Sequence, residues 1–155
     1  MSLGLDARHL DTAVPVHIGV GASLEIAQVG SSLARLFPQF EVGARLDALL
    51  EVQTPHIPLE PARLRTAQSS LFVFEDRTSG IKLRGQILYS DADSIFWFLG
   101  SPWALRADEL AEHGICASDY AAHDATLEHL FVQRTQEATL ADAQRVLEDV
   151  QEASL

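Results

Sequence analysis

The chain holds one cysteine, Cys116, in 155 residues, so no internal disulfide can form. That usage suits a reducing compartment, and the apolar neighbour Ile115 predicts a partly buried thiol rather than a reactive one. Basic residues are scarce: 11 Lys and Arg stand against 22 Asp and Glu, a formal net charge of -11. A field of that sign repels phosphate backbones and anionic headgroups, which argues against nucleic acid and membrane surfaces as partners. The pair Arg63 and Arg65 reads as a solvated helix face. No apolar run approaches the roughly 20 residues of a membrane span, and no charged-then-apolar signal segment opens the chain, so a cytoplasmic location is expected. A G-x-S-x-G nucleophile elbow is absent as well.

What is present is an ordinary globular composition, 47% hydrophobic and 21% charged, sufficient for one domain with an appendage. Leu5, Ala7 and Leu10 fit a short lead-in helix within a segment 1–13. Residues 14–20 and 24–29 alternate around Gly21-Ala22, which predicts a hairpin with glycine easing the turn. Ser31 and Ser32 then suit the start of a helix carrying Leu33, Leu36 and Phe37 and stopped by Pro38. Leu46, Leu49 and Leu50 share a helical face, and the three prolines of 55–61 exclude a helix until Pro61 starts one that runs to about residue 68. Residues 71–74, 82–89 and 94–100 read as strands, the last two joined by the turn Ser90-Asp91-Ala92-Asp93. The expectation is an α+β fold with a five-stranded antiparallel sheet, short helices on one face and a long C-terminal helix.

That last helix follows from the absence of Gly and Pro between residues 125 and 151, with Asp119 or Asp124 as its cap. Leu127, Leu130 and Phe131 form a broad apolar face near its start. Leu140, Ala143, Leu147 and Val150 recur at spacings of three, four and three, the seam of a coiled coil. The chain therefore divides into a lead-in at 1–13, a domain at 14–120 and a terminal helix at 121–155. The opening Met1-Ser2-Leu3, followed directly by a polar segment, reads as a cloning scar on a fragment cut from something longer.

Several words in the sequence carry more than secondary structure. They are V-G-S-S-L-A-R-L-F-P at 29–38, G-A-R-L-D-A-L-L-E-V-Q-T-P-H-I at 43–57, R-G-Q-I-L-Y at 84–89, A-D-S-I at 92–95 with Ser101-Pro102 at the strand exit, and G-I-C-A-S-D-Y-A-A-H-D-A-T at 114–126. Together they resemble the heme-NO-binding-associated domain, the PAS-like module that lies between the NO sensor and the coiled coil of soluble guanylate cyclases and also occurs in bacterial signalling proteins. The resemblance implies a PAS-like sheet, a terminal helix that leads into a coiled coil, and neighbouring sensor and output domains in a parent cyclase or histidine kinase.

Signals for chemistry are weak by comparison. Six histidines invite a heme or metal reading. However, His56 lies beside prolines, His123 and His129 fall on different helix faces, and only His17 sits in an apolar strand, where a histidine usually belongs to the core. His123-Asp124-Ala125-Thr126 looks like a kinase phosphoacceptor, but its threonine is three residues on rather than four, so helix capping is the better reading. Asp91 and Asp93 sit in a turn and not on the adjacent strands that a cyclase metal site needs. No catalytic residue, metal or cofactor is expected.

Two functions follow. In the first, the chain is a noncatalytic dimerisation and relay module, a homodimer or paralogous heterodimer. Its contact is expected at Trp97 or at the Phe96 and Phe98 pair, because strand 95–99 is apolar on both faces and one of them must be core, and along Leu140, Ala143, Leu147 and Val150. In the second, it is a sensory domain whose core, shaped by Phe72, Phe74, Phe96 and Phe98 or Trp97, holds a small molecule or heme.

Overall fold

The computed structural model describes residues 4–104 and 106–153. The first three residues of the lead-in and the last two of the terminal segment lie outside the described residues. The lead-in forms α1 (Ala7–Ala13), capped by the Asp6 carboxylate, which accepts the His9 amide at 2.8 Å. The first hairpin is β1 (Val16–Gly21) with β2 (Ile26–Val29). In its turn the left-handed residue is Leu24 at φ 66°, not the expected glycine; its side chain is 3% exposed, and burial holds it in that conformation.

Next comes α2 (Ser31–Leu36), whose exposed Ser31 amide is capped from a distance by the Asp11 carboxylate of the lead-in at 2.7 Å. The serines themselves do not cap it; Gly30 is the N-cap. The helical face read at residues 46, 49 and 50 lasts one turn as α3 (Leu46–Leu49), and Leu50 already opens a strand, β3 (Leu50–Thr54). This corrects the strand count from five to six. β3 is an edge strand paired only with β4 (Phe72–Asp76), so its outward Glu51 leaves little apolar alternation to read. Between them lies α4 (Pro61–Thr66), with proline in its first turn as expected. The long hairpin β5 (Lys82–Ser90) and β6 (Ile95–Trp103) completes the antiparallel sheet in the order β2-β1-β6-β5-β4-β3.

The sheet's inner face and α2 to α4 enclose the core. Val16, Ile18 and Val20 alternate inward from β1, Phe72 and Phe74 from β4, Leu83 and Ile87 from β5, and Phe96 and Phe98 from β6; they meet Leu33, Phe37, Leu46 and Leu64 from the helices. Aromatic contacts fill the centre: Phe72 and Phe74 stack at 5.7 Å, and Phe98 meets Phe74 edge-on at 5.0 Å. Two glycines pair across β5 and β6. A side chain on Gly85 would lie 2.2 Å from the Leu99 carbonyl, and one on Gly100 would lie 2.4 Å from the Arg84 carbonyl. The R-G and G-S-P words thus mark a close strand approach.

After β6 the chain turns through α5 (Ala107–Glu112) and a tight turn at Ala117–Asp119 into α6 (Thr126–Ala153), 28 residues and about 42 Å long.

Candidate interaction face

The outer face of the sheet is built by the residues that alternate with the core. On β6 these are Ile95, Trp97 and Leu99; on β5, opposite them, Leu88 pairs with Trp97 and Gln86 with Leu99. Trp97 lies flat over β1 because its cross-strand neighbour there is Gly19, where a Cβ would come 2.7 Å from the indole. Beneath it, His17 is 1% exposed and fully engaged: its Nδ1 is 2.8 Å from the Val14 carbonyl and its Nε2 is 3.0 Å from the Gln28 amide. The geometry fits a neutral ring, with Nδ1–H donating and Nε2 accepting.

The lead-in helix flanks this surface, which corrects the expectation that helices cover one face only. Leu5, Leu10, Gln28, Leu88, Trp97 and Leu99 line a groove of about 340 Å³ between α1 and the strands. Leu5, Leu71 and Leu88 remain 65, 46 and 42% exposed. Phe96 and Phe98, expected at a contact, lie on the other side, 2 and 3% exposed in the domain's own core. Strand alternation carries that choice, and it leaves Trp97 as the residue of the three that faces outward.

A second arrangement holds the start of α6. Leu130 is buried and Leu127 half-buried against Ala104, Leu110 and Tyr120. Asp124 caps the helix: its Oδ1 accepts the Thr126 amide at 2.9 Å and the Thr126 hydroxyl at 2.5 Å, and Ser101 at the exit of β6 donates to the same carboxylate. His123 beside it is exposed. The expected capping is therefore Asp124's work.

Just upstream, Asp119 is 1% exposed and receives Arg35 from α2 and the Cys116 amide at 2.7 Å. Burial pushes the Asp119 carboxyl up, but hydrogen bonds from Arg35, Cys116 and Ser32 outweigh it and hold the group below the ordinary carboxylate range. Asp124 balances the same way: burial raises it, and Thr126 and Ser101 bring it down. Tyr120 lies among these charges with an unpartnered buried hydroxyl. Burial, with the Asp124 and Asp119 charges added, pushes it up to about 12. Cys116 is exposed, contrary to the expectation of partial burial, because its backbone caps a surface turn while Ile115 takes the inward position.

The words of the sequence thus meet in space. Arg35 of L-A-R-L-F-P holds Asp119, and Ser101 of the S-P exit holds Asp124. Neither pairing had a local signal, since Arg35 and Asp119 lie 84 residues apart.

Beyond its anchored start α6 is bare: residues 134–152 are all exposed. Leu140, Leu147 and Val150 of the expected seam are 64, 61 and 57% exposed, and Ala143 lies between them in sequence on the same exposed stretch. Sequence spacing missed Val132 and Val146, 56 and 62% exposed; Val146 precedes the seam residue Leu147 by one and widens the stripe. Leu88 was missed too; its pairing with Trp97 was the available signal.

A profile of the family described as "Heme NO binding associated" matches residues 3–80 and 75–153. The chain belongs to this family. Curated relatives include the soluble guanylate cyclase gcy-35 of Caenorhabditis elegans, 23% identical over 150 residues, covering 88% of this chain and 22% of that protein. The human guanylate cyclase soluble subunit alpha-2 is 25% identical over 130 residues, 77% of this chain and 18% of the relative, and the mouse alpha-1 subunit is 27% identical over 135 residues, 80% and 20%. The chain spans about a fifth of the length of these relatives. As a heme-NO-binding-associated domain it is a regulatory signalling module. Among the described residues no helix is long and apolar enough to cross a membrane, and no group of three or more His, Cys, Asp or Glu gathers as a metal site.

Proposed function

We propose that the chain is a noncatalytic dimerisation and signal-relay module of a larger cytoplasmic signalling protein, and that its terminal helix passes a change of geometry to an output domain. The observation that carries this reading is the bare half of α6. Leu140, Val146, Leu147 and Val150 are each more than half exposed on a helix that its own domain anchors only near its start. Such a stripe loses free energy to water at about 25 cal/mol per Å² of apolar area, which a partner helix removes. The residues at Leu140, Ala143, Leu147 and Val150 form the seam, and Trp97 with Leu88 and the lead-in helix forms a second contact on the sheet.

The partner is a second copy of this chain or a paralogue. The relatives named as alpha subunits of a soluble guanylate cyclase support a paired assembly and a cyclase as output; a histidine kinase serves the same geometry. The core reading fares less well, because Phe72, Phe74, Phe96 and Phe98 fill the space between sheet and helices with one another. The test is analytical ultracentrifugation of the chain beside a Leu140→Lys, Leu147→Lys variant. A dimer that the double substitution converts to monomer is expected; an unchanged mass distribution overturns the seam.

A further inference from the structure

Where α6 leaves the sheet, its first turns and the outer ends of β5 and β6 enclose a cleft of about 600 Å³, a volume typical of small-molecule sites. Trp103 forms its floor, with the Arg84 guanidinium carbon 4.8 Å from the ring centroid. His129, Leu130 and Gln133 of α6 form the facing wall.

Arg84, like Arg8, Arg63, Arg134 and Lys82, makes no ion pair among the described residues; of these five bases it is the one that lines the cleft and lies over a tryptophan ring. The acid in the cleft, Asp124, does not neutralise it, because its carboxylate is taken up by Thr126 and Ser101. The guanidinium thus lies over the tryptophan ring at the lining of the cleft.

We propose that this cleft binds a small planar molecule bearing a carboxylate. Its ring lies along Trp103 and Leu130, and its carboxylate takes the two parallel donors of the Arg84 fork, with the Gln133 amide as a third donor in reach of the same wall. A carboxylate fits better than a phosphate for two reasons: it is flat like the guanidinium, and its single charge is repelled less by the nearby Asp124. This site is outside the phenylalanine core and does not depend on pairing of chains.

The test uses the whole chain with cinnamate and its uncharged amide, cinnamamide, as probes. Calorimetry is expected to find cinnamate bound about tenfold more tightly than cinnamamide, the size of one charge-assisted contact. Arg84→Gln removes that preference, with a thermal melt to confirm that the variant folds. In Trp97→Phe, which leaves Trp103 as the remaining tryptophan of two, cinnamate quenches the emission. Absence of binding, equal affinity for acid and amide, or an undiminished preference in Arg84→Gln overturns the proposal. The comparison of acid with amide on the unmodified chain decides the matter even if the variant fails to fold.

Discussion

The two faces of β6 carry similar side chains and have opposite fates. Inward, Phe96 and Phe98 are closed off by Phe74, Tyr89 and the helices, to 2 and 3% exposure. Outward, Ile95, Trp97 and Leu99 remain half-covered, beside a Leu88 that is 42% exposed. The same split divides α6, with Leu130 buried near its start and Leu147 61% exposed near its end. Hydrophobicity says only that a surface avoids water; the fold decides whether the domain covers that surface itself. One side of the strand and one end of the helix are therefore matters of stability, and the other side and other end are matters of association.

The sharpest way to break this division is to truncate one residue on each face. Phe98→Ala opens a cavity at the centre of the aromatic cluster and is expected to cost about 3–5 kcal/mol in urea unfolding. Trp97→Ala should lose a fraction of that, its ring being half-exposed over Gly19, while it weakens the dimer. Equal losses of stability would erase the distinction between the faces.

How much of this was legible beforehand follows the same line. Period-two alternation located β1, apolar runs on either side of the turn Ser90-Asp91-Ala92-Asp93 located β5 and β6, and the lack of Gly and Pro located α6, because these signals are local. β3 was hidden: Leu46, Leu49 and Leu50 fit a helical face, and an edge strand with outward Glu51 has no second apolar face to betray it. Alternation also said that Phe96 and Phe98 share a side, but not which side the helices would cover. The Arg35–Asp119 pair and the Asp11 cap on Ser31 join residues far apart in sequence, and nothing in a linear pattern marks them.

On the association side, Leu140→Lys with Leu147→Lys is expected to raise the dimer dissociation constant about a hundredfold, ~2.7 kcal/mol, without shifting the unfolding of the sheet domain. Sedimentation and urea titration read the two effects separately.

The junction between the halves has its own signature. Asp119→Ala leaves Arg35 without its partner and frees the turn before α6, a loss of about 1–3 kcal/mol by thermal unfolding. The pH dependence has a definite sign. Asp119 and Asp124 are held below the ordinary 3.8 in the folded chain, so they contribute stability above that pH, and the contribution is lost as pH falls toward their depressed values. Asp119→Asn should flatten that acid limb, and an unchanged slope would remove Asp119 from the account.

The smallest expected effect lies under Trp97. Gly19→Ala places a methyl group 2.7 Å from the indole, which must lift away from β1. A shift in tryptophan emission with a stability change of about 1 kcal/mol is expected. An unaltered spectrum would mean that the ring is not seated on the strand.

The central claim is that the uncovered apolar surface belongs to a partner, and the mass of the unmodified chain in solution tests it most directly. Light scattering at tens of micromolar is predicted to give twice the 16.9 kDa of one chain, falling to a single chain when Leu140 and Leu147 become lysine. A mass of 16.9 kDa for the unmodified chain at that concentration would contradict the account.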